Sequence, residues 1–325
     1  MRVDHQAEGI HLPDIDLWLD AREPVGANWI SHAHSDHARG VHRCTYGTPP
    51  TLALYRMRVD VPEDARLCAL AYGDSVLHGE AKLTAMPAAH IVGAAQLLVE
   101  WRGERLVYTG DIKLQRPLCG VETRPVPCDQ LIIESTFGLP VYRFLSCEQA
   151  RERMVAFARE CLADGATPAF LGYPLGRGQE VVYALRQAGV PVQVHGAIAR
   201  YLPVYEEQGW QMGGWEPYEA KAGKGRALVV VPGMRAYLEA SGRNVRVAYV
   251  SGWAALSNAR TRAGAEFLIP YSDHAGFDEL LALVRATGAR EVDVVHGYTE
   301  AFARILRAEG IAARGITHAT RQAQD

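Results

Sequence analysis

The feature that most constrains this chain is a short run of metal-binding side chains, His32-Ala33-His34-Ser35-Asp36-His37. Three imidazoles and one carboxylate fall within six residues, directly after an apolar run that ends at residues 28–31. Imidazole and carboxylate are ligands that zinc and manganese accept without thiolates. In a loop leaving a strand, His32 and His34 can face one metal while Asp36 and His37 face a second. The chain is not a His-rich tract, so a chance surface cluster is a poor explanation.

Four further polar residues each close an apolar run elsewhere in the chain and are followed by small residues. They are His90, Asp111, His274 and His296. A rigid sheet projects ligands into a shared cleft in this way. Taken singly, each is more often a strand-end residue that caps a turn. Because the metal loop is already present, we expect these four residues to complete a metal site.

The periodicity of the sequence predicts two domains, the second inserted into the first. The N-terminal third predicts short strands and tight turns, with strands at residues 81–87, 96–101, 106–109 and 131–134. From Ser146, which forms a capping-box pattern with Gln149, strands and helices alternate as in a small parallel sheet. We expect the first domain to comprise residues 1–138 and 246–325, and the inserted domain residues 139–245.

Composition indicates an ordinary globular protein, with 48% hydrophobic and 22% charged residues. The chain contains no run of eighteen apolar residues, so no transmembrane helix and no membrane partner are expected. Residues 1–8 are polar and lack the apolar segment of a secretion signal, which favours the cytoplasm. The six cysteines form no CxxC pair, so neither a disulfide framework nor a thiolate zinc site is expected.

Positive charge is concentrated in one stretch although the net charge is −3. Residues 221–262 contain eight Lys or Arg and one acid, Glu239. Such a stretch either supplies the field that a phosphate backbone needs or is an ordinary solvated face. Arg260 and Arg262 are its candidate nucleic-acid contacts. Arg177, at a strand-to-helix turn, can meet a phosphate together with the helix N-terminus, or it bridges the two domains.

The order of these motifs resembles the metallo-β-lactamase superfamily. His-x-His-x-Asp-His, then a lone His, then Thr-Gly-Asp follow one another here as in that family, and Asp20 matches its first aspartate, which orients ligands. Other motifs are similar to those of the β-CASP nuclease branch. They are the acidic Glu134, the segment Gly176-Arg177-Gly178-Gln179-Glu180, Ser272-Asp273-His274 and Val295-His296-Gly297. The resemblance implies an α/β fold, a metallo-β-lactamase αββα sandwich with an inserted β-CASP α/β domain.

The resemblance also implies roles for the site residues. One divalent cation, Zn2+ or Mn2+, would be held by His32, His34 and His90, and a second by Asp36, His37 and His296, with Asp111 bridging them. Such a pair of cations activates a water and stabilises both the attacking and the leaving oxygen of a phosphodiester. His274 would be the general acid and Glu134 would fix its tautomer. A third-ligand or supporting role is the alternative for His274.

The choice of substrate depends on finer resemblances. Tyr271-Ser272-Asp273-His274 resembles a segment of Artemis-type DNA nucleases, and the whole chain is similar to bacterial exonucleases associated with DNA ligase and helicase genes. We therefore expect a DNA exonuclease of DNA repair, with nucleic acid as partner and an association with ligase or helicase proteins. Its inserted domain would close over the metal cleft and admit one strand.

Three alternatives remain open. DNA enzymes of this type usually carry an apolar residue where this chain has His296, whereas RNA-cutting members carry His, so an RNA-processing β-CASP ribonuclease is the first. A small ester or thioester hydrolase is the second, since a fold does not determine a function. The inserted domain and Glu134 disfavour that reading. A non-catalytic binding protein is the third, and the filled ligand positions disfavour it.

Overall fold

The computed structural model describes residues 1–219, 225–240, 242 and 244–316. The chain divides into two compact units. Unit 1 contains residues 1–114 and 121–140 together with the chain from His274 onward, and unit 2 contains residues 115–120 and 141–273. Strands and helices are numbered in chain order over both units. The mixed α/β architecture confirms the predicted fold class.

The first sheet of unit 1 is formed by consecutive strands. They are β1 (Asp4–Gln6), β2 (Gly9–Leu12), β3 (Leu17–Leu19), β4 (Ala27–Trp29), β5 (Cys44–Gly47) and β6 (Arg66–Ala69). Pairing is antiparallel from β1 to β3 and parallel from β3 to β6. Helix α1 (Pro49–Arg56) follows β5. It begins after Thr48, whose hydroxyl accepts a hydrogen bond from N of Thr51 and so satisfies a free helix donor.

The second sheet of unit 1 combines strands from both parts of the chain. They are β7 (Ser75–His78), β8 (Ala81–Pro87), β9 (Ala95–Trp101), β10 (Glu104–Tyr108), β11 (Gln130–Ser135), β18 (Glu291–Gly297) and β19 (Ala312–Gly315). Their order in the sheet is β19-β18-β11-β10-β9-β8-β7. Helices α8 (Phe277–Thr287) and α9 (Thr299–Ala308) flank β18 in the chain. The strands predicted from residue 81 to residue 134 are confirmed as β8, β9, β10 and β11.

The core of unit 1 lies between these two sheets. Leu17, Leu19 and Trp29 of the first sheet and Leu97 and Leu106 of the second belong to one buried cluster. None of these side chains exposes more than 1% of its surface. Burying a side chain of this size contributes roughly 1.5–3 kcal/mol to stability. The sandwich therefore supplies the rigid strand ends from which the site residues project.

Unit 2 is built on one parallel sheet. Its strands are β12 (Thr167–Leu171), β13 (Val192–Val194), β14 (Trp215–Pro217), β15 (Ala227–Val230), β16 (Val245–Val250) and β17 (Phe267–Ile269), in the order β14-β13-β15-β12-β16-β17. Its helices are α2 (Cys147–Ala163), α3 (Arg177–Gln187), α4 (Gly196–Ala199), α5 (Leu202–Glu207), α6 (Arg235–Ala240) and α7 (Ala259–Ala263). Two short 3-10 helices, Pro232–Met234 and Gly252–Ala255, lie among the described residues of this unit. The predicted capping box of α2 is confirmed, because Ser146 and Gln149 exchange hydrogen bonds of 3.0 and 3.2 Å.

The end of the inserted unit differs from the expected boundary at residue 245. Strand β16 (Val245–Val250) pairs with β12 on one side and with β17 on the other. Both strands are needed to complete the parallel sheet, so unit 2 continues to Asp273. In the described part of the chain, no helix has the length and apolar character needed to cross a bilayer.

Candidate metal centre

The metal loop, residues 31–38, begins two residues after β4 ends at Trp29. Backbone bonds of 3.2 and 2.8 Å from N of His37 and N of Ala38 to O of His34 close it into a tight turn. The side chains of His32 and His37 are almost fully buried, and that of His34 is 9% exposed. The loop therefore turns its three imidazoles toward the interior of unit 1.

A first group of donors combines this loop with two other loops. His34 Nδ1 lies 3.0 Å from Nε2 of His32 and 3.1 Å from Nε2 of His90. Oδ2 of Asp111 lies 3.4 Å from Nε2 of His32 and 3.7 Å from Nε2 of His90. One ligand atom from each of the four lies within 4.8 Å of the others. Ligands held about 2.1 Å from an ion in a tetrahedron are about 3.4 Å apart, so this buried set fits a divalent cation.

A second group of donors also includes Asp111. Nε2 of His37 is 3.5 Å from Oδ2 of Asp111 and 3.6 Å from Oδ2 of Asp36. The ring of His296 lies 5.0 Å from that of His37, centroid to centroid. The side chain of Asp36 is 61% exposed, so this group opens toward solvent. Asp111 is within 4 Å of nitrogens of both groups, as a bridging carboxylate must be.

Asp20 organises the metal loop from behind. Its carboxylate accepts hydrogen bonds from N of Ser31 at 2.7 Å, from the hydroxyl of Ser31 at 2.6 Å and from that of Tyr108 at 2.7 Å. Its Oδ2 also lies 2.7 Å from Nδ1 of His37. Because Asp20 holds Nδ1, Nε2 is the nitrogen of His37 that lies toward Asp111. Carboxylates orient ligating histidines in this way.

The loop that carries His90 is held by a glycine and two threonines. The carbonyl of Gly93 accepts hydrogen bonds from the hydroxyls of Thr48 at 2.5 Å and Thr51 at 2.9 Å. Gly93 has φ +82°, and a Cβ on it would lie 2.6 Å from N of Thr51. Only glycine fits here without displacing α1. The segment after Asp111 is tied to the same loop, because N of Lys113 donates to O of Ala88 at 3.0 Å.

Glu134 and His274 form a pair next to the first group. Nδ1 of His274 lies 2.9 and 3.0 Å from the two carboxylate oxygens of Glu134. Glu134 is fully buried, and it also accepts hydrogen bonds from N of Ile112 at 2.8 Å and N of Thr136 at 3.3 Å. Nδ1 of His274 is 3.9 Å from Oδ2 of Asp111. The histidine therefore stands at the metal donors with one nitrogen held by a fixed carboxylate.

His296 owes its position to a bulge in the sheet. The register between β11 and β18 shifts at Glu134/Ser135, so that Ser135 pairs with Gly297 and His296 is passed over. His296 takes the unusual φ of +54°, and the hydroxyl of Ser135 donates to its carbonyl. Bulges re-aim single side chains in this way and are frequent beside active sites.

Comparison with known proteins extends these observations. No family model matches the sequence. The chain is 33% identical over 316 residues to a probable DNA ligase of Opitutus terrae, covering 95% of this chain and 30% of that protein. It is 28% identical over 227 residues to cleavage and polyadenylation specificity factor subunit 3 of Dictyostelium discoideum, covering 60% and 27%. The chain thus spans less than a third of the length of these two relatives.

Two further comparisons agree. An RNase J-like protein of Methanocaldococcus jannaschii is 26% identical over 209 residues, covering 56% of this chain and 50% of the relative. A crystal structure of a protein of unknown function from Enterococcus faecalis shares the fold, with a TM-score of 0.61, 16% identity and coverage of 90% of this chain and 80% of that one. These matches confirm the resemblance to the β-CASP branch of the metallo-β-lactamase superfamily.

In this chain, burial strongly affects the protonation of the candidate ligands. It lowers the pKa of His32 well below the usual histidine range and that of His296 to about 4. Burial also raises the pKa of Asp111 to about 7. Burial alone would lower the pKa of His37, but the carboxylates of Asp111, Asp36 and Asp20 outweigh it and raise that pKa to about 10. At neutral pH the imidazoles of His32 and His296 thus keep free lone pairs, the form that metals bind.

Arg177 does not take the phosphate-binding position that was one of its two predicted roles. It is 5% exposed, and its Nη2 lies 2.5 Å from Oδ1 of Asp273. It also donates to the carbonyl of Tyr271, and its guanidinium lies 5.3 Å from the centre of that ring. Because these partners within unit 2 enclose the guanidinium, Arg177 forms an internal ion pair of unit 2.

The basic stretch of unit 2 is partly neutralised. Arg226, Arg235 and Arg246 form ion pairs with Glu216, Glu239 and Asp164. Arg260 and Arg262 are exposed on α7, and Nη1 of Arg260 donates to O of Glu266 at 2.5 Å. A nucleic-acid contact at Arg260 and Arg262 stays a prediction. Lys221, Lys224 and Arg243 lie outside the described residues.

Sequence reasoning missed the residues that hold the loops. Three of them support a candidate ligand or its loop, namely Tyr108, Thr48 and Thr51. In the sequence, Tyr108 is an ordinary strand residue and the two threonines lie around the start of a helix, so no pattern indicates their role. Arg39 and Arg58 were also missed. Nε of Arg39 donates to O of Ser35 at 2.5 Å, and Nη1 of Arg58 donates to O of Ala33. In the sequence, the feature that could have indicated Arg39 and Arg58 is the number of arginines that follow the metal loop.

Proposed function

We propose that this chain is a two-metal nuclease that hydrolyses phosphodiester bonds, and that it removes nucleotides from an end of DNA. One observation carries the proposal. A single carboxylate oxygen, Oδ2 of Asp111, lies 3.4 Å from Nε2 of His32, 3.5 Å from Nε2 of His37 and 3.7 Å from Nε2 of His90. A carboxylate placed between two groups of imidazoles suits two adjacent cations better than one.

We assign the ligands by these two groups. His32, His34 and His90 would hold one cation, Asp36, His37 and His296 a second, and Asp111 both. The donors are nitrogen and oxygen, which suits Zn2+ or Mn2+. When bound, the cations would activate a water and neutralise charge on the phosphate. Asp20 keeps His37 in the tautomer that presents Nε2, and the turn at residues 31–38 keeps four of the ligands together.

His274 is our candidate for the general acid. The carboxylate of Glu134 accepts a hydrogen bond from the protonated Nδ1 of His274. Nε2 of His274 is therefore available to protonate the departing 3′-oxygen. The buried carboxylate stabilises the cationic imidazole that this step requires. Burial alone would raise the pKa of Glu134, but His274 and the hydrogen bonds at Thr136 and Ile112 outweigh burial and lower it. Glu134 therefore stays an anion and keeps its hold on His274.

Support for DNA comes from the relative in Opitutus terrae, which is named a probable DNA ligase and matches 95% of this chain. This match also supports an association with DNA ligation. A role in DNA repair, cutting from an end and a helicase partner depend on the family resemblance alone. RNA processing is the second candidate. It is favoured by His296 beside His37 and by relatives named as an RNase J-like protein and as cleavage and polyadenylation specificity factor subunit 3.

The test is digestion of matched end-labelled single-stranded DNA and RNA with added Zn2+ or Mn2+. The isosteric Asp111→Asn variant, checked for folding, is the control. We expect stepwise shortening of DNA that the variant does not show. Preferential cutting of RNA would favour RNA processing, the second candidate, over the DNA exonuclease. A folded, metal-loaded chain that cuts neither polymer contradicts the nuclease proposal and directs attention to small esters.

A further inference from the structure

A group of arginines lies beside the metal loop on unit 1. We call Arg22, Arg39, Arg43, Arg56 and Arg58 the arginine face. They come from three segments of the chain, namely residues 22–25, residues 39–43 and the end of α1 at residues 55–58. Four of them are exposed, and Arg22 is half-buried.

Hydrogen bonds join the three segments. The hydroxyl of Tyr55 donates to the carbonyl of Gly40. N of Arg43 donates to O of Val25 at 3.1 Å, and the buried His42 links N of Val25 to O of Arg39 at 3.3 and 2.9 Å. The three segments that carry the arginines are therefore adjacent in unit 1, although up to 36 positions separate the arginines in the sequence.

The arginine face touches the metal loop itself. Arg39 donates to the carbonyl of Ser35 at 2.5 Å, and Arg58 donates to the carbonyl of Ala33. These carbonyls belong to the residues on either side of His34. A guanidinium has five N–H donors, so most donors of both side chains remain for another partner. Two cations of the arginine face thus lie directly against the metal loop.

Among the residues that the structure describes, no carboxylate neutralises the charges of the arginine face. Other arginines of unit 1 form ion pairs, such as Arg102 with Glu80, Arg285 with Glu309 and Arg290 with Asp129. In the described part of the chain, no carboxylate pairs with any arginine of the face. Residues 22–58 contain five arginines and two acids, Glu23 and Asp36. A cluster of unpaired cations repels itself and is stabilised by an anion with several charges.

We propose that the arginine face binds the phosphodiester backbone of a single nucleic-acid strand as it enters the metal loop. The proposal rests on the proposed function, because the strand is taken to be the substrate. Guanidinium groups bind phosphates through two parallel hydrogen bonds. Such contacts read no bases, so DNA and RNA strands of equal length should bind alike. Selection between DNA and RNA would then depend on other residues.

The test measures binding without cleavage. A labelled single-stranded DNA or RNA oligonucleotide is titrated with the full chain in EDTA, by fluorescence anisotropy, from about 50 to 200 mM salt. Two double variants, Arg39→Gln with Arg58→Gln and Arg43→Gln with Arg56→Gln, remove charge and keep an N–H donor. The second pair spares the loop contacts. Arg304→Gln, an exposed arginine on α9, is the matched control.

We expect each double variant to bind at least roughly tenfold more weakly than the parent chain. The slope of log affinity against log salt should fall by about 1 to 2. Arg304→Gln should bind like the parent. Parent-like affinity and slope in the pair Arg43→Gln and Arg56→Gln would overturn the proposal, as would a parent chain that binds neither oligonucleotide.

Hydrolysis of bis(p-nitrophenyl) phosphate separates this inference from the proposed function. Hydrolysis of this small diester requires the metal centre but no surface that binds a nucleic-acid strand. If the parent hydrolyses this diester and the double variants still bind DNA normally, the proposal that the arginine face binds the strand is refuted. The proposed nuclease function is then unaffected. If the parent binds DNA through the arginine face but hydrolyses no diester, the strand-binding proposal is supported and the proposed nuclease function is refuted.

Discussion

Glu134 and His274 are separated by 140 positions in the sequence, yet Nδ1 of His274 lies 2.9 Å from Oε1 of Glu134. The glutamate sits on β11 with no exposed surface, and the histidine lies three residues before α8. Because Ile112 and Thr136 also donate to Glu134, the carboxylate cannot rotate away. The pair is therefore a fixed element of unit 1, beside Oδ2 of Asp111.

The first prediction concerns this pair as a unit. Replacing His274→Ala should lower kcat for a diester by roughly 10²- to 10⁴-fold, the usual contribution of a general acid. Glu134→Gln should give a loss of similar order, because the amide cannot stabilise a cationic imidazole. The double variant should lose little more than either single one. Steady-state kinetics with metal analysis of each protein checks this, and losses that multiply would show that the residues act independently.

The second prediction concerns Asp20. Replacing Asp20→Asn removes the anion that orients His37 and should weaken metal binding by about 10- to 100-fold. Tyr108→Phe deletes one of the hydrogen bonds to Asp20 and keeps the carboxylate, so its effect should be smaller. Competition with a chelator measures both affinities. Equal affinities in Asp20→Asn and the parent would show that the carboxylate does not support a metal ligand.

The third prediction uses two glycines with positive φ. Gly93→Ala should lower the free energy of unfolding by about 3 kcal/mol or more, since its Cβ would lie 2.6 Å from N of Thr51. Gly79→Ala is the matched control. It has φ +59° and nothing within 4 Å, so only the backbone strain of roughly 1 kcal/mol applies. Urea unfolding measures both, and equal losses would refute the steric argument.

The fourth prediction concerns the dependence of stability on pH. Burial alone would raise the pKa of Asp293, but hydrogen bonds from His5 and Arg314 outweigh it and lower that pKa. A lowered folded-state pKa adds stability above the unfolded value of about 3.9, and this stability is lost as pH falls further. Asp293→Asn should therefore lower the free energy of unfolding by about 1–2 kcal/mol at pH 7.

The same variant should differ little from the parent once the pH has fallen through the folded-state pKa of Asp293. Urea unfolding of metal-free protein across this range provides the measurement. Asp60→Asn, at an exposed position, serves as the control and should follow the parent at every pH. A deficit of Asp293→Asn that persists unchanged in acid would show that the charge of Asp293 is not the cause.

Several features followed from the sequence alone. The candidate ligands of the metal loop are local, because six neighbouring residues after one strand end must share one small region. The capping box of Ser146 and Gln149 and the strands β8 to β11 are local patterns too, and the structure confirms them. The order of the motifs was sufficient to predict the family, since each motif marks one strand end of a known layout.

Other features were decided only by the tertiary structure, because they depend on contacts between residues far apart in the chain. Sequence could not show that Arg177 faces Asp273, or that Tyr108 donates to Asp20. It placed the end of the inserted unit at residue 245, because strand order in a sheet is not visible in the chain. It also directed attention to the basic stretch of unit 2. Folding brings the unpaired arginines of three separate segments together beside the metal loop, and no local pattern records that juxtaposition.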